Sequence, residues 1–161
     1  FACNGILFNH ESPRRGANFV TNKVIKNSVR IALGLQKTLE VGNIHAYRDW
    51  GHAKDYVRAM NMIINYKKAD DWVVATGKAR SVGQMIDYVF KKLNLNRKKH
   101  LRINKKFFRP EELKYLQGDS SKTRKYLKWK PEYTFEGMLD EMLDFWLDFY
   151  KNNNHENKFN Y

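Results

Sequence analysis

Leu7-Phe8-Asn9-His10-Glu11-Ser12-Pro13-Arg14-Arg15-Gly16 decides how the rest of this sequence is read. An apolar, strand-like run over residues 1–8 feeds directly into a loop that carries an amide, an imidazole, a carboxylate and two guanidinium groups. Asn18 follows, just before a helical pattern begins. A buried strand that ends in concentrated polar chemistry and then a helix is the arrangement of α/β folds, where ligands bind beyond the strand ends. The same residues would also serve as an ordinary connection with surface arginines.

Outward from that loop, Asn18 is placed to cap a helix over residues 19–33, which Gly34 stops. Val20, Val24 and Ile31 fall near one face of it, while Lys23 and Arg30 leave that face. Residues 39–41 read as a short strand ending at the turn Gly42-Asn43, and residues 47–50 as a second extended piece. A helix over 53–66 carries the stripe Tyr56, Val57, Met60, Ile63 and Ile64. Residues 71–76 form a β-branched run stopped by Gly77, and Ser81 with Gln84 forms a capping box that opens a helix to about Leu93. Phe108-Arg109-Pro110 breaks any helix there, and Asp119 caps a short helix to Leu127. Thr134 opens the last helix, where Phe135, Met138, Leu139, Met142, Phe145, Trp146 and Phe149 recur at core spacing. Residues 152–161 read as a disordered tail.

The 161 residues suffice for one domain, and 42% hydrophobic with 14% aromatic content indicates a folded chain. No apolar run approaches the ~18 residues of a membrane span. The first residues lack the basic region of a signal peptide, and a start without Met inside a strand pattern suggests a truncated chain. The single cysteine, Cys3, forbids an internal disulfide and suits a reducing, cytoplasmic location. The net charge of +13 invites a nucleic-acid partner, most of all at residues 91–106, where eight of sixteen residues are Lys or Arg. That block has no interleaved aromatics and no groove-reading motif, which makes nucleic acid the weaker reading.

The sequence contains no Gly-x-Gly-x-x-Gly and no metal-ligand spacing among its five histidines and one cysteine. Tyr88-x-x-x-Lys92 and Tyr126-x-x-x-Lys130 match a reductase pair only by spacing, in a lysine-rich chain. The informative residues stand singly at element ends. Lys23 lies one turn into a helix, where N–H groups and the dipole favour anions. Arg48 precedes Asp49-Trp50 at a strand edge, and Arg109 sits in extended backbone with Glu112 three residues on. Arginine grips phosphate bidentately, and a carboxylate can accept the N1–H and amine of guanine. With the opening loop these residues outline a pocket for a nucleotide bearing more than one phosphate.

Over nearly its whole length the chain resembles the C-terminal half of the GDP-mannose 4,6-dehydratase family, which are extended short-chain dehydrogenase/reductases. The resemblance rests on Gly5-Ile-Leu-Phe-Asn-His-Glu-Ser-Pro-Arg-Arg-Gly16, on Asn18-Phe-Val-Thr21 with Lys23, and on Ile31-Ala-Leu-Gly-Leu-Gln36. It continues through Gly42-Asn43, Arg48-Asp-Trp-Gly-His-Ala-Lys-Asp-Tyr-Val57, Ala75-Thr-Gly77, Phe108-Arg-Pro110 with Glu112, Gly118-Asp119 and Leu127-Lys-Trp-Lys-Pro131. Residues 93–106 depart most from the pattern.

The resemblance implies an α/β fold holding the last Rossmann strands and a small mixed α/β substrate-binding lobe. Residues 1–18 would supply a late strand and the cofactor and interface loop, and residues 19–151 the sugar-nucleotide-binding lobe. It further implies that His10, Arg14 and Arg15 meet NADP(H), with the 12–15 loop reaching a neighbouring subunit of an oligomer. Asn9, Lys23, Arg48, Arg109 and Glu112 would line the GDP-mannose pocket. The implied reaction oxidises C4 of mannose, eliminates water across C5–C6 and returns the hydride to C6, giving GDP-4-dehydro-6-deoxymannose. The glycine-rich loop and the catalytic Tyr, Lys, Thr and Glu would lie upstream of Phe1, so this chain would be inactive by itself. Another extended reductase, an epimerase or a UDP-sugar dehydratase, is the nearest alternative.

Overall fold

A computed structural model describes residues 1–108 and 111–152. In chain order the first elements are β1 (Asn4–Leu7), β2 (Asn9–Glu11), α1 (Val20–Ala32), β3 (Leu39–Val41), β4 (Tyr47–His52) and α2 (Ala53–Ile64). Next come β5 (Asp71–Val74), β6 (Ala79–Ser81), α3 (Val82–Lys92), α4 (Arg97–His100) and β7 (Leu101–Ile103). A 3₁₀ turn at Lys105–Phe107 leads to β8 (Tyr115–Leu116), α5 (Ser121–Leu127) and α6 (Phe135–Asn152). The proposed tail beyond residue 152, and Arg109 with Pro110, lie outside the described residues.

The pairing is mixed, with parallel ladders predominant. β1 runs parallel to β5, β2 parallel to β4, and β3 parallel to β7. β4 is the hub: Tyr47 to Asp49 pair antiparallel with β6, Tyr47 and Arg48 also pair with β8, and Trp50 to His52 pair with β2. Strand β4 thereby carries Arg48 and Trp50 from the lobe's edge toward the end of β2.

Local chemistry sets the helix limits. Ser81 Oγ accepts from Gln84 N at 3.0 Å while Gln84 Oε1 accepts from Ser81 N at 2.8 Å, so the capping box starts α3 as its spacing predicts. Gly34 at φ +74° ends α1: Leu35 N donates to Arg30 O at 2.8 Å, and Gly34 N to Ile31 O at 3.0 Å. Asn94 at φ +53° repeats this stop after α3. Thr134 Oγ1 accepts from Gly137 N at 3.0 Å, where α6 begins.

The larger core joins α1, β3, α3 and α6 through Val24, Ile25, Leu39, Met85, Ile86, Met138 and Met142, all fully buried. A smaller core lies under α2, where Tyr56, Ala59 and Ile63 pack with Trp72, Val74, Leu127 and Trp129. At about 25 cal/mol per Å² of apolar surface, these aromatic and aliphatic side chains are the main favourable term in folding.

Several expectations need correcting. The run over residues 1–8 is not one buried strand. It breaks at Phe8 into β1 and β2, and Asn4, Gly5 and Ile6 are exposed, because among the described residues only β5 is hydrogen-bonded to β1. Asn18 does not cap α1: the chain turns at residues 16–19, Phe19 takes the cap position, and no side chain bonds there. Asp119 stands one residue before the Ser120 cap of α5, although its carboxylate does accept from Ser121 N at 2.9 Å. The α2 stripe splits: Tyr56 and Ile63 are buried, but Val57 (61%), Met60 (41%) and Ile64 (69%) face outward. Periodicity identifies an apolar helix without saying how wide a stripe its neighbours cover. On α6, Phe145 is 44% exposed for the same reason.

Candidate functional site

A cavity of about 360 Å³ opens where β2, the start of α1, the β3–β4 turn and the 3₁₀ turn converge. Alternation along β2 builds its floor: Asn9 and Glu11 face it, and His10 points the other way. The His10 ring stacks on Tyr56 at 5.0 Å, and its Nδ1 donates to Phe8 O at 2.9 Å. Asn9, Lys23, Arg48 and Glu112 all line the cavity, although more than a hundred positions separate the first from the last. Arg109 lies outside the described residues.

Arg48 is closely held. Its Nη1 donates to the carbonyls of Tyr47 and Leu113, each at 2.7 Å, and its Nη2 lies 3.4 Å from Glu112 Oε1. Glu112 Oε2 accepts from Asn43 Nδ2 at 2.9 Å. Arg48 therefore ties the 112–116 segment to β4 and does not pair with Asp49 or Asp55, the neighbours that sequence proximity suggests. Each carboxylate oxygen of Glu112 keeps acceptor capacity beyond these bonds. The Lys23 ammonium lies 3.4 Å over the Phe107 ring, and burial lowers its pKa against the opposing pull of Glu40.

Arg15 lines this cavity and also a second one of about 370 Å³, which it shares with Arg14, Lys26, Phe145, Trp146 and Phe149. Its guanidinium lies 3.4 Å over the Phe19 ring and 3.1 Å from Glu11 Oε2. Glu11 is 1% exposed, and burial pushes its pKa up to about 7 against the Arg15 charge and the Thr21 hydroxyl. Burial, with the nearby Asp49, Asp55 and Glu11 carboxylates, likewise raises the Tyr56 phenol.

Two buried aspartates fix the surrounding loops. Asp49 accepts from Thr76 N at 2.9 Å, Thr76 Oγ1 at 2.5 Å, Gly77 N at 2.8 Å and Gly118 N at 3.2 Å. Asp55 accepts from Glu132 N and Tyr133 N at 3.1 Å and pairs with Arg58 at 3.0 Å. Sequence reasoning missed Glu11, Asn43 and Phe107 as cavity residues. For Glu11 a signal existed, because it lies two positions beyond Asn9 on the same strand. Among the described residues no cluster of His, Cys, Asp or Glu could hold a metal ion, and no helix is long and apolar enough to cross a membrane.

The fold is shared with solved structures. RMD from Pseudomonas aeruginosa complexed with NADPH superposes with a TM-score of 0.81 at 23% identity, over 89% of this chain and 48% of that one. UDP-glucuronic acid 4-epimerase from Bacillus cereus gives 0.79 at 19% identity, over 92% and 46%. Parallel strands feeding a polar cavity give this chain the α/β fold of the part of those structures that it covers. A family profile, GDP-mannose 4,6 dehydratase, matches residues 1–142, and the chain belongs to that family. It is 51% identical over 144 residues to GDP-mannose 4,6 dehydratase 1 of Arabidopsis thaliana, covering 89% of this chain and 40% of the relative. With the GDP-mannose 4,6 dehydratase of Homo sapiens the identity is 42% over 160 residues, covering 89% and 43%. The chain thus spans less than half the length of these relatives.

Proposed function

We propose that this chain is the sugar-nucleotide-binding part of an NADP-dependent enzyme that dehydrates GDP-mannose to GDP-4-dehydro-6-deoxymannose. The observation that carries this reading is the convergence of Asn9, Lys23, Arg48 and Glu112 on one cavity in a member of the family. Lys23 and Arg48 supply cationic charge for the two phosphates, and Glu112 holds Arg48 in place while keeping acceptor capacity for the guanine edge. Phe107, half-exposed on the cavity wall, gives a flat apolar face beside Lys23.

Arg14, exposed and without a carboxylate partner among the described residues, and Arg15 fit the anionic end of a phosphorylated dinucleotide. His10 lies on the opposite face of β2 from the cavity and would meet the cofactor from there. Bound NADP would supply the hydride acceptor and donor, and this chain would bind and orient the sugar nucleotide against it.

An upstream Rossmann half is part of this reading, as are assembly into an oligomer and residence in the cytoplasm. Support for an upstream half comes from the edge of β1 left without a strand partner among the described residues and from the outward stripe Val57, Met60 and Ile64, which suit a further parallel strand and a packed helix. The test is turnover. These residues alone should leave GDP-mannose unchanged, and joining the upstream half should restore formation of the 4-keto product. Turnover by the isolated chain would contradict the division of labour, and no turnover by the joined protein would contradict the activity.

A further inference from the structure

The Gly42-Asn43 turn between β3 and β4 stands on the cavity wall beside Glu112, and the network around Asn43 fixes which way its amide points. Asn43 Oδ1 accepts from His45 N at 2.9 Å, a turn that only the oxygen of the side chain can make. The nitrogen therefore faces the other way, and Nδ2 donates to Glu112 Oε2 at 2.9 Å. Exchanging the two amide atoms would set N–H against N–H at His45 and oxygen against carboxylate at Glu112. Gly42 seats the turn, because a Cβ there would collide with the Phe107 carbonyl.

These two side chains retain hydrogen-bonding capacity toward the cavity. Nδ2 carries two hydrogens, and among the described residues one of them is used, by Glu112. Glu112 Oε2 keeps a lone pair beyond that bond, and Oε1 makes a long contact of 3.4 Å with Arg48. Neither group is sealed away: the Glu112 side chain is 21% exposed and Asn43 is half-buried.

Taken in order, Nδ2, Oε2 and Oε1 form a row of donor, acceptor, acceptor. Cytosine turns the same row toward guanine, whose edge offers the O6 acceptor, the N1–H donor and the 2-amino donor. The other bases fit the row less well. Adenine would bring its 6-amino donor against Nδ2–H and its bare N1 against Oε2. Uracil would match at O4 and N3–H, but would set its O2 against Oε1. Hypoxanthine matches twice and leaves Oε1 without a donor. Mismatches of this kind are costly because a buried polar group is left unpaired.

We propose that Asn43 and Glu112 together read the edge of the base, Asn43 donating to O6 and Glu112 accepting from N1–H and the 2-amino group, which makes Asn43 a specificity-determining residue for guanine. This rests on the reading of the cavity as a nucleotide-sugar site. It adds to that reading a second recognising residue and a requirement for a carbonyl at C6.

The test is calorimetric titration of GDP, IDP and 6-thio-GDP into the complete protein, as wild type, Asn43→Ser and Asn43→Ala. IDP lacks the 2-amino group, and 6-thio-GDP replaces O6 by sulfur, a weak acceptor. Wild type should bind GDP about three- to tenfold tighter than 6-thio-GDP, the loss of one neutral hydrogen bond, and roughly 10- to 100-fold tighter than IDP, the loss of one to a carboxylate. Asn43→Ser keeps an oxygen for His45 N but no amide donor. Both variants should bring the ratio of GDP to 6-thio-GDP affinity to about one and leave the preference over IDP in place. An Asn43 that merely oriented Glu112 would do the reverse, eroding the preference over IDP and leaving the 6-thio-GDP ratio as in wild type. That outcome, or a wild type that does not separate GDP from 6-thio-GDP, overturns the proposal while leaving the nucleotide-sugar reading intact. The wild-type comparison stands even where a variant misfolds. Failure of the wild-type protein to bind either GDP or GDP-mannose overturns both.

Discussion

Arg48→Lys separates a phosphate clamp from a structural tie, and the geometry predicts that this residue is both. The guanidinium makes two 2.7 Å bonds to the carbonyls of Tyr47 and Leu113 and a longer 3.4 Å contact with Glu112. A lysine ammonium reaching the same space can keep one of these at a time, without the planar fork. Each lost charge-assisted bond is worth roughly 1.5–3 kcal/mol in a buried setting. Arg48 is partly solvated, so one such bond sets the scale for stability, and the ion pair adds at most ~1 kcal/mol. We therefore expect a destabilisation of about 2 kcal/mol in urea denaturation of the complete protein. GDP-mannose affinity should fall about 10- to 100-fold, which corresponds to ~1.4–2.8 kcal/mol. Unfolding curves and calorimetry on the same preparation supply both numbers. Lost stability with unchanged affinity would mean that Arg48 only ties the 112–116 segment to β4. Unchanged stability would refute the hydrogen-bond geometry itself.

Three further outcomes follow from the same structure. Glu11→Gln should raise stability at pH 8 by up to ~3 kcal/mol, because a carboxyl whose folded pKa stands near 7 against 4.5 loses stability as pH rises through that window. Paired melts should show the advantage shrinking to nothing by about pH 4.5, and a variant weaker than wild type at pH 8 would reverse that sign. Gly42→Ala places a Cβ 2.4 Å from Phe107 O, so about 1–3 kcal/mol of overpacking is expected, with the 3₁₀ turn displaced and KM raised more than kcat is lowered. Asp49→Asn removes acceptors from a carboxylate that binds two backbone N–H groups and a hydroxyl of residues 76–77 and the N–H of Gly118; about 2–4 kcal/mol of stability should go in denaturant titrations, with faster amide exchange at Gly77 and Gly118.

What the sequence disclosed was mostly local. The Ser81–Gln84 capping box and the Gly34 stop depend on residues three to five positions apart, so their chemistry is visible in the chain itself. Asn9, Lys23 and Arg48 stand out as polar groups at element ends, and the fold does gather them. The hidden features depend on pairings over long separations. Asp49 and Asp55 look like surface charges in sequence, yet they are fully buried because backbone N–H groups 27 to 78 residues away close on them. Residues 101–103, within the block read as basic surface, form a parallel strand against β3, and Arg97 pairs with Asp87. Glu11 was legible in principle through the two-residue period of β2, but its pairing with Arg15 over Phe19 required the turn geometry.

The central claim, that this cavity receives a guanine nucleotide sugar, is tested most directly by calorimetric titration of the complete protein with GDP-mannose and, separately, with UDP-glucose. The account predicts saturable one-site binding of GDP-mannose and at least tenfold weaker binding of UDP-glucose, with the difference reduced in Glu112→Ala. Equal affinity for the two, or a preference for UDP-glucose, would contradict it.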